Sequence, residues 1–214
     1  ELGRKNVPGS DREMAVKGDP KRGKLHFDVN CIACHQADGK GKVGFAPSIR
    51  NRDFLAIASD DFIRKTIRNG RPGTAMVPRP DLAFQAVNDI IAYLRSLPIA
   101  NPVEINVDST LTFKGDPEEG TAKYTKYCAA CHGNDGEGYL AGVPGPGIGL
   151  AGFLKSVSDD YILQTLRQGR IATPMKPFIG SKGIANLTVE DAHDIIARLR
   201  VMGEENAGGQ AAGQ

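Results

Sequence analysis

The apolar positions of the chain recur at helical spacing and almost never alternate. In residues 59–70 apolar side chains recur at Phe62, Ile63 and Ile67, and in residues 158–169 at Tyr161, Ile162 and Leu166. That i, i+1, i+5 pattern gathers them on one side of a helix. Both stretches open on Ser-Asp-Asp, an acidic start signal, and close at a glycine, Gly70 or Gly169. Asp19-Pro20 and Asp116-Pro117 read as the N-cap and first position of helices over residues 18–30 and 115–127. A further helix over 82–97 is ended by Pro98, and its partner over 188–202 starts at Thr188-Val189-Glu190-Asp191, close to a capping box. Only residues 103–107 suggest alternation, and 39–47 and 133–152 are loops rich in Gly and Pro. The pattern predicts an all-α protein.

The helices come in two sets because the chain repeats itself. Gly18-Asp19-Pro20 returns as Gly115-Asp116-Pro117 after 97 residues, with Gly23 matching Gly120 and Phe27 matching Tyr124. Ser59-Asp60-Asp61, Gly70-Arg71 and Thr74-Ala75-Met76 return after 99 residues, and Asp89-Ile90-Ile91-Ala92 after 105. Two small insertions in the second copy account for the drift. The expected layout is an N-terminal extension (1–17), a first domain (18–100), a linker (101–112), a second domain (113–203) and a flexible tail (204–214). A linker this short implies that the domains pack together.

All four cysteines fall in the repeat, as Cys31-Ile32-Ala33-Cys34-His35 and Cys128-Ala129-Ala130-Cys131-His132. This is the c-type haem attachment signature: two thiols about a helical turn apart can add to the two vinyl groups of one porphyrin, with the His beneath the iron. A zinc site shared by the two C-x-x-C pairs is the competing reading, and it leaves the repeated Thr-x-Met loops without a purpose.

With an aromatic-bearing helix, C-x-x-C-H, a Pro-bearing loop, a short helix, a Met loop and a final helix in that order, each half resembles a class I cytochrome c domain. The pair resembles a dihaem c-type cytochrome, built of two tandem cytochrome c domains related by internal duplication. The likeness covers about 18–98 and 114–203. It implies two covalently attached haem c groups, held by Cys31 and Cys34 and by Cys128 and Cys131, with His35 and His132 as proximal ligands. Met76 and Met175, 41 and 43 residues after those histidines, would be the distal ligands, and a thioether opposite imidazole raises the reduction potential. Pro47 stands where the family has a proline whose carbonyl orients the proximal His. In the second half both Pro144 and Pro146 could serve. Arg71 and Arg170 are candidates to approach haem propionates or to remain solvated. His26 and His193 lack counterparts and are expected to be solvated or capping groups. Phe27 and Tyr93 should pack the first helix on the last, with Arg198 replacing the second aromatic in the other half.

Composition narrows the function. The chain has 27 Lys+Arg against 25 Asp+Glu, too balanced for a nucleic-acid protein, and no apolar run approaches the ~20 residues of a spanning helix. Membrane contact is therefore expected only through a partner or a removed anchor. The first domain carries the excess positive charge, concentrated at Arg64, Lys65, Arg68 and Arg71, either a solvated helix face or a docking patch for an acidic redox partner. The resemblance implies an exported, periplasmic protein whose signal peptide is absent from this mature chain. It would relay electrons between a donor enzyme or complex and an acceptor such as a terminal oxidase, as a carrier or a cytochrome subunit. The enzyme alternative is a dihaem peroxidase or sulfur-compound dehydrogenase with one open or labile haem site.

Overall fold

A computed structural model describes residues 17–211, so the expected N-terminal extension lies outside the described residues except for Lys17. The first half folds as α1 (Pro20–Asn30), α2 (Ile32–His35), α3 (Arg52–Ile57), α4 (Asp60–Asn69) and α5 (Phe84–Ser96). The second half repeats the order as α6 (Pro117–Tyr127), α7 (Ala129–His132), a 3₁₀ turn (Gly138–Ala141), α8 (Ala151–Leu154), α9 (Asp159–Gln168) and α10 (Val189–Ala211). Among the described residues there is no strand, and only the isolated bridges Lys42–Ala46 and Ile179–Leu187 occur. Residues 103–107 form no sheet.

Local chemistry sets the helix starts. The Asp19 carboxylate accepts from the Lys21 and Arg22 amides, Asp116 does the same for Glu118 and Glu119, and the Ser59 and Ser158 hydroxyls accept from Phe62 and Tyr161. Each first helix then crosses the last helix of its half at backbone contact. A Cβ on Gly23 would lie 1.8 Å from the Asp89 carbonyl oxygen, and one on Gly120 would lie 2.0 Å from that of Asp194. Phe27, fully buried, meets Tyr93 with ring centroids 5.3 Å apart. In the second half Arg198 occupies the place of Tyr93, and the buried Tyr124 instead donates its hydroxyl to the Gly133 carbonyl at 2.8 Å. Met202, 2% exposed, is a core residue of α10.

An arginine on each last helix braces the corner before the short central helix. Arg95 donates to the Leu55 and Ala58 carbonyls and pairs with Asp60; Arg200 donates to the Leu154 and Val157 carbonyls and pairs with Asp159. The linker lies on the second half, where the amides of Asp108 and Phe113 donate to Asp160 and Asp159, both at 2.8 Å.

Two expectations change. The last helix runs through residues 204–211, where composition predicted a flexible tail. A tertiary contact holds it, the Asn206 side-chain amide donating to the Asp135 and Gly149 carbonyls, while Glu205 pairs with Arg198 of the same helix. The basic run of the first domain is not simply a solvated face, since its side chains are engaged within the chain. Arg64, 7% exposed, donates to Asn88; Arg68 donates to the Pro80 and Leu82 carbonyls over the Phe84 ring; Arg71 is taken up by Thr66 and the Phe62 ring; Lys65 pairs with Asp61.

The halves meet through their central helices. Phe62 stacks on Tyr161 at 5.1 Å and 27°, while Phe54 and Phe153 present their edges to Phe62 and Tyr161 at 6.3 and 6.4 Å. These four are repeat-related pairs, so the contact has an approximate two-fold character.

Candidate functional site

Each C-x-x-C-H segment continues its first helix after a break. The Cys31 amide donates to the Phe27 carbonyl and the His35 amide to that of Cys31; Cys128 and His132 copy this with Tyr124 and Cys128. One turn of helix therefore brings both thiols and the imidazole of each motif together. His35 and His132 are each 9% exposed. His35 Nδ1 lies 3.0 Å from the Pro47 carbonyl and His132 Nδ1 lies 2.8 Å from that of Pro146. Of the two prolines open in the second half, Pro146 is thus the one facing the ring. The Pro144 carbonyl accepts instead from the Gly44 amide of the first half at 3.3 Å.

The electrostatics suit metal coordination by the opposite nitrogen. Burial pushes both imidazole pKa values down, partly offset by the proline hydrogen bonds. The neutral ring donates Nδ1–H to the proline and keeps a lone pair on Nε2. Burial also pushes the Cys31 thiol up to about 11, against the pull of Arg79, and the Cys128 thiol up to about 12. All four cysteines are free of disulfides. Among the described residues no three His, Cys, Asp or Glu side chains converge into a metal cluster, so the shared zinc reading has no site. Paired thiols beside a buried, single-nitrogen imidazole fit a covalently held porphyrin in each half.

The two Met loops are built alike. Arg71 N donates to the Met76 carbonyl at 2.7 Å and Arg170 N to that of Met175 at 2.6 Å. The Thr74 and Thr173 hydroxyls donate to the Arg71 and Arg170 carbonyls, both at 2.7 Å, and accept from the Met76 and Met175 amides at 3.0 and 3.1 Å. Both Met side chains are half-buried. The arginines of these loops are half-buried and hydrogen-bond to threonine hydroxyls rather than to a carboxylate: Arg71 Nη2 donates to Thr66 Oγ1 at 2.6 Å and Arg170 Nη2 to Thr165 Oγ1 at 2.8 Å. Burial lowers the Arg71 pKa. His193 stacks on Phe113 at 4.2 Å, and His26 is a half-buried residue of α1.

The structure adds residues that sequence reasoning missed. Asn51 and Asp53 reach from the first half to the Met175 loop of the second, Asn51 Nδ2 donating to the Ile171 carbonyl and Asp53 Oδ2 accepting the Ile171 amide, both at 2.6 Å. The signal for them was a break in the repeat, since Leu150 and Gly152 stand at the matching places. Thr66, Thr165 and the Phe62–Tyr161 stack were also unforeseen.

Comparisons with known proteins agree with this arrangement. Residues 20–98 match the family described as Cytochrome c, and residues 115–197 match Cytochrome C oxidase, cbb3-type, subunit III. A cbb3-type cytochrome c oxidase subunit CcoP from Azospirillum sp. (strain B510) is 28% identical over 165 residues, covering 69% of this chain and 52% of that protein. Cytochrome c4 from Thiocapsa roseopersicina is 29% identical over 161 residues, covering 72% of this chain and 76% of that one. The chain spans about half the length or less of the cbb3-type cytochrome c oxidase subunits it matches. Among solved structures, the Kuenenia stuttgartiensis reducing HAO-like protein complex Kustc0457/Kustc0458 shares the fold, with a TM-score of 0.51 and 18% identity over 87% of this chain and 99% of that one.

Proposed function

The chain is a dihaem c-type cytochrome made of two tandem cytochrome c domains, and from that we propose that it relays single electrons in the periplasm through two His/Met-ligated haems. When bound, each haem c supplies a one-electron iron couple. Cys31 and Cys34 anchor one group and Cys128 and Cys131 the other, as thioethers. His35 and His132 offer Nε2 to iron while Pro47 and Pro146 fix the plane and tautomer of each ring. Met76 and Met175 would supply the second ligand to each iron. Arg71 and Arg170 would be the groups to meet a haem propionate, since their half-buried guanidinium groups have no carboxylate partner and an anion would complete them. The packed aromatic contact between the halves keeps the two sites in fixed relation, so an electron can pass within the molecule.

One observation carries this reading: both halves repeat the same His–Pro hydrogen bond and the same Met-loop hydrogen bonds, each to within 0.2 Å. A peroxidase or dehydrogenase would be expected to differ at one site, and these hydrogen bonds do not. The CcoP relatives bear the name of an oxidase subunit, which supports a redox complex with a terminal oxidase as the acceptor. No helix among the described residues is long and apolar enough to cross a membrane, so attachment would rest on such a partner or on a segment outside this chain.

The test is a pair of single substitutions, Met76→Ala and Met175→Ala, in holo-protein carrying two haems. Each should remove about half of the weak red-edge charge-transfer band that accompanies thioether ligation of oxidised haem, and lower one of two potentials. An unchanged band for either variant would sink the ligand assignment at that site.

A further inference from the structure

The two Met loops share one set of hydrogen bonds but reach it with different residues. The first loop reads Arg71-Pro72-Gly73-Thr74, with proline fixing one φ and glycine taking the left-handed position at φ +80°. The second reads Arg170-Ile171-Ala172-Thr173, and Ala172 holds the same left-handed position at φ +60°. That conformation is unfavourable for a residue with a Cβ and persists only where the surroundings impose it. The imposing contact comes from the other domain. Both backbone groups of Ile171 are gripped, the amide by Asp53 Oδ2 and the carbonyl by Asn51 Nδ2. Asp53 is itself fully buried and held by the Arg52 guanidinium through Oδ1, at 2.8 Å from Nε and 2.7 Å from Nη2. Asn51 is held by its cap of α3, accepting from the Asp53 and Phe54 amides.

The reverse contact does not exist. Leu150 and Gly152 replace Asn51 and Asp53 in the second domain, and Pro72, which has no N–H to give, stands against Gly152. One Met loop is thus rigid by its own sequence, and the other borrows its rigidity across the interface.

We propose that Asn51 and Asp53 are positioning residues for Met175, so that ligation at the second haem depends on docking of the first domain while ligation at the first haem does not. The inference rests on the reading of Met175 as an axial ligand. Without the grip, Ala172 relaxes out of its left-handed conformation, the Arg170–Met175 turn opens, and Met175 yields its place to an added ligand.

The test compares wild type with Asp53→Ala, Asn51→Ser and Met175→Ala in the two-haem protein. Asn51→Ser keeps an oxygen to cap α3 but loses the donor to Ile171, so it remains informative if Asp53→Ala folds poorly. Three readings are taken: the red-edge band, binding of imidazole to oxidised protein, and exchange of the Ile171 amide. Both grip variants should lose up to half of the band, bind imidazole at one haem at least tenfold more tightly than wild type, and expose the Ile171 amide. Adding Ile171→Pro with Ala172→Gly to Asp53→Ala copies the first loop and should restore the band. A full band with weak imidazole binding in both grip variants overturns the proposal, as does equal loss at both haems, which would mean general loosening. If Met175→Ala leaves the band whole, the fault lies in the ligand assignment instead.

Discussion

Asp89 offers the sharpest test of how the first domain is held together. Its carboxylate is 1% exposed and accepts four hydrogen bonds: from the Asp19 amide at 2.7 Å, Arg22 Nε at 2.8 Å, Arg22 Nη2 at 3.1 Å and Gln85 Nε2 at 2.8 Å. Burial alone would push its pKa up. The donors outweigh burial, Arg22 foremost, and hold it at about 2 against an ordinary 3.8. At 1.36 kcal/mol per tenfold change in proton affinity, the ionised group contributes about 2 kcal/mol to folding. Arg22 is half exposed, so solvent screens part of its share and about 2 is an upper figure. Asp89→Asn keeps the shape, removes the charge and turns an amide toward Arg22. It should lower the melting temperature of the holo-protein by roughly 3–7 °C at neutral pH. Because the folded pKa is depressed, the contribution is complete above the ordinary carboxyl range and fades as pH falls toward 2. By pH 3 about half of the difference between variant and wild type should be gone. Thermal unfolding followed by circular dichroism across that range is the assay. A variant melting within about 1 °C of wild type at neutral pH, or a deficit unchanged at pH 3, would refute the reasoning.

Gly23→Ala should cost on the order of 2 kcal/mol or above, since Gly23 is buried and the new methyl meets the Asp89 carbonyl at 1.8 Å; denaturant unfolding should show the loss with the second domain's band unaltered. Tyr124→Phe removes one buried hydroxyl and leaves the Gly133 carbonyl without its donor, a loss of about 1–2 kcal/mol measurable in the same experiment.

What could be read from the sequence was local. Helix starts at Asp19-Pro20, Asp116-Pro117, Ser59 and Ser158 were legible because the capping atoms lie within three residues of the amides they serve. The C-x-x-C-H turns and the paired Thr-x-Met loops were legible because both copies carry them. The rest depended on distant partners. Six-residue α3 and four-residue α8 are too short to show a hydrophobic period. Residues 204–211 look like a tail until Asn206 meets the Asp135 and Gly149 carbonyls. Arg64, Arg68 and Arg71 look like a charged face until Asn88, Pro80, Leu82 and Thr66 take up their guanidinium groups. Two prolines in one loop left the partner of His132 open, because only the turn of the chain decides which carbonyl faces the ring.

The drift in the repeat now has a physical explanation. From Asn51 to Pro78 the second copy follows at an unbroken offset of 99 residues, while insertions fall before and after that stretch. This is the segment carrying Phe54, Phe62, Thr66, Arg71 and Met76, whose counterparts Phe153, Tyr161, Thr165, Arg170 and Met175 carry the interface and the Met loop of the other half. In an approximately two-fold contact each residue meets surfaces made by its own counterpart. An insertion in one copy would shift that copy's side chains against an unshifted partner and break the stack. An added residue in the loops before α3 or α8, or between the Met loop and the last helix, is absorbed at the surface. Substitution is the freer route to difference, and it is the one taken, with Gly152 against Pro72 on one side and Asn51 and Asp53 on Ile171 on the other. The interface therefore keeps its geometry while its chemistry becomes unequal, which is how two sites with matching hydrogen bonds can respond differently to the same separation of the domains.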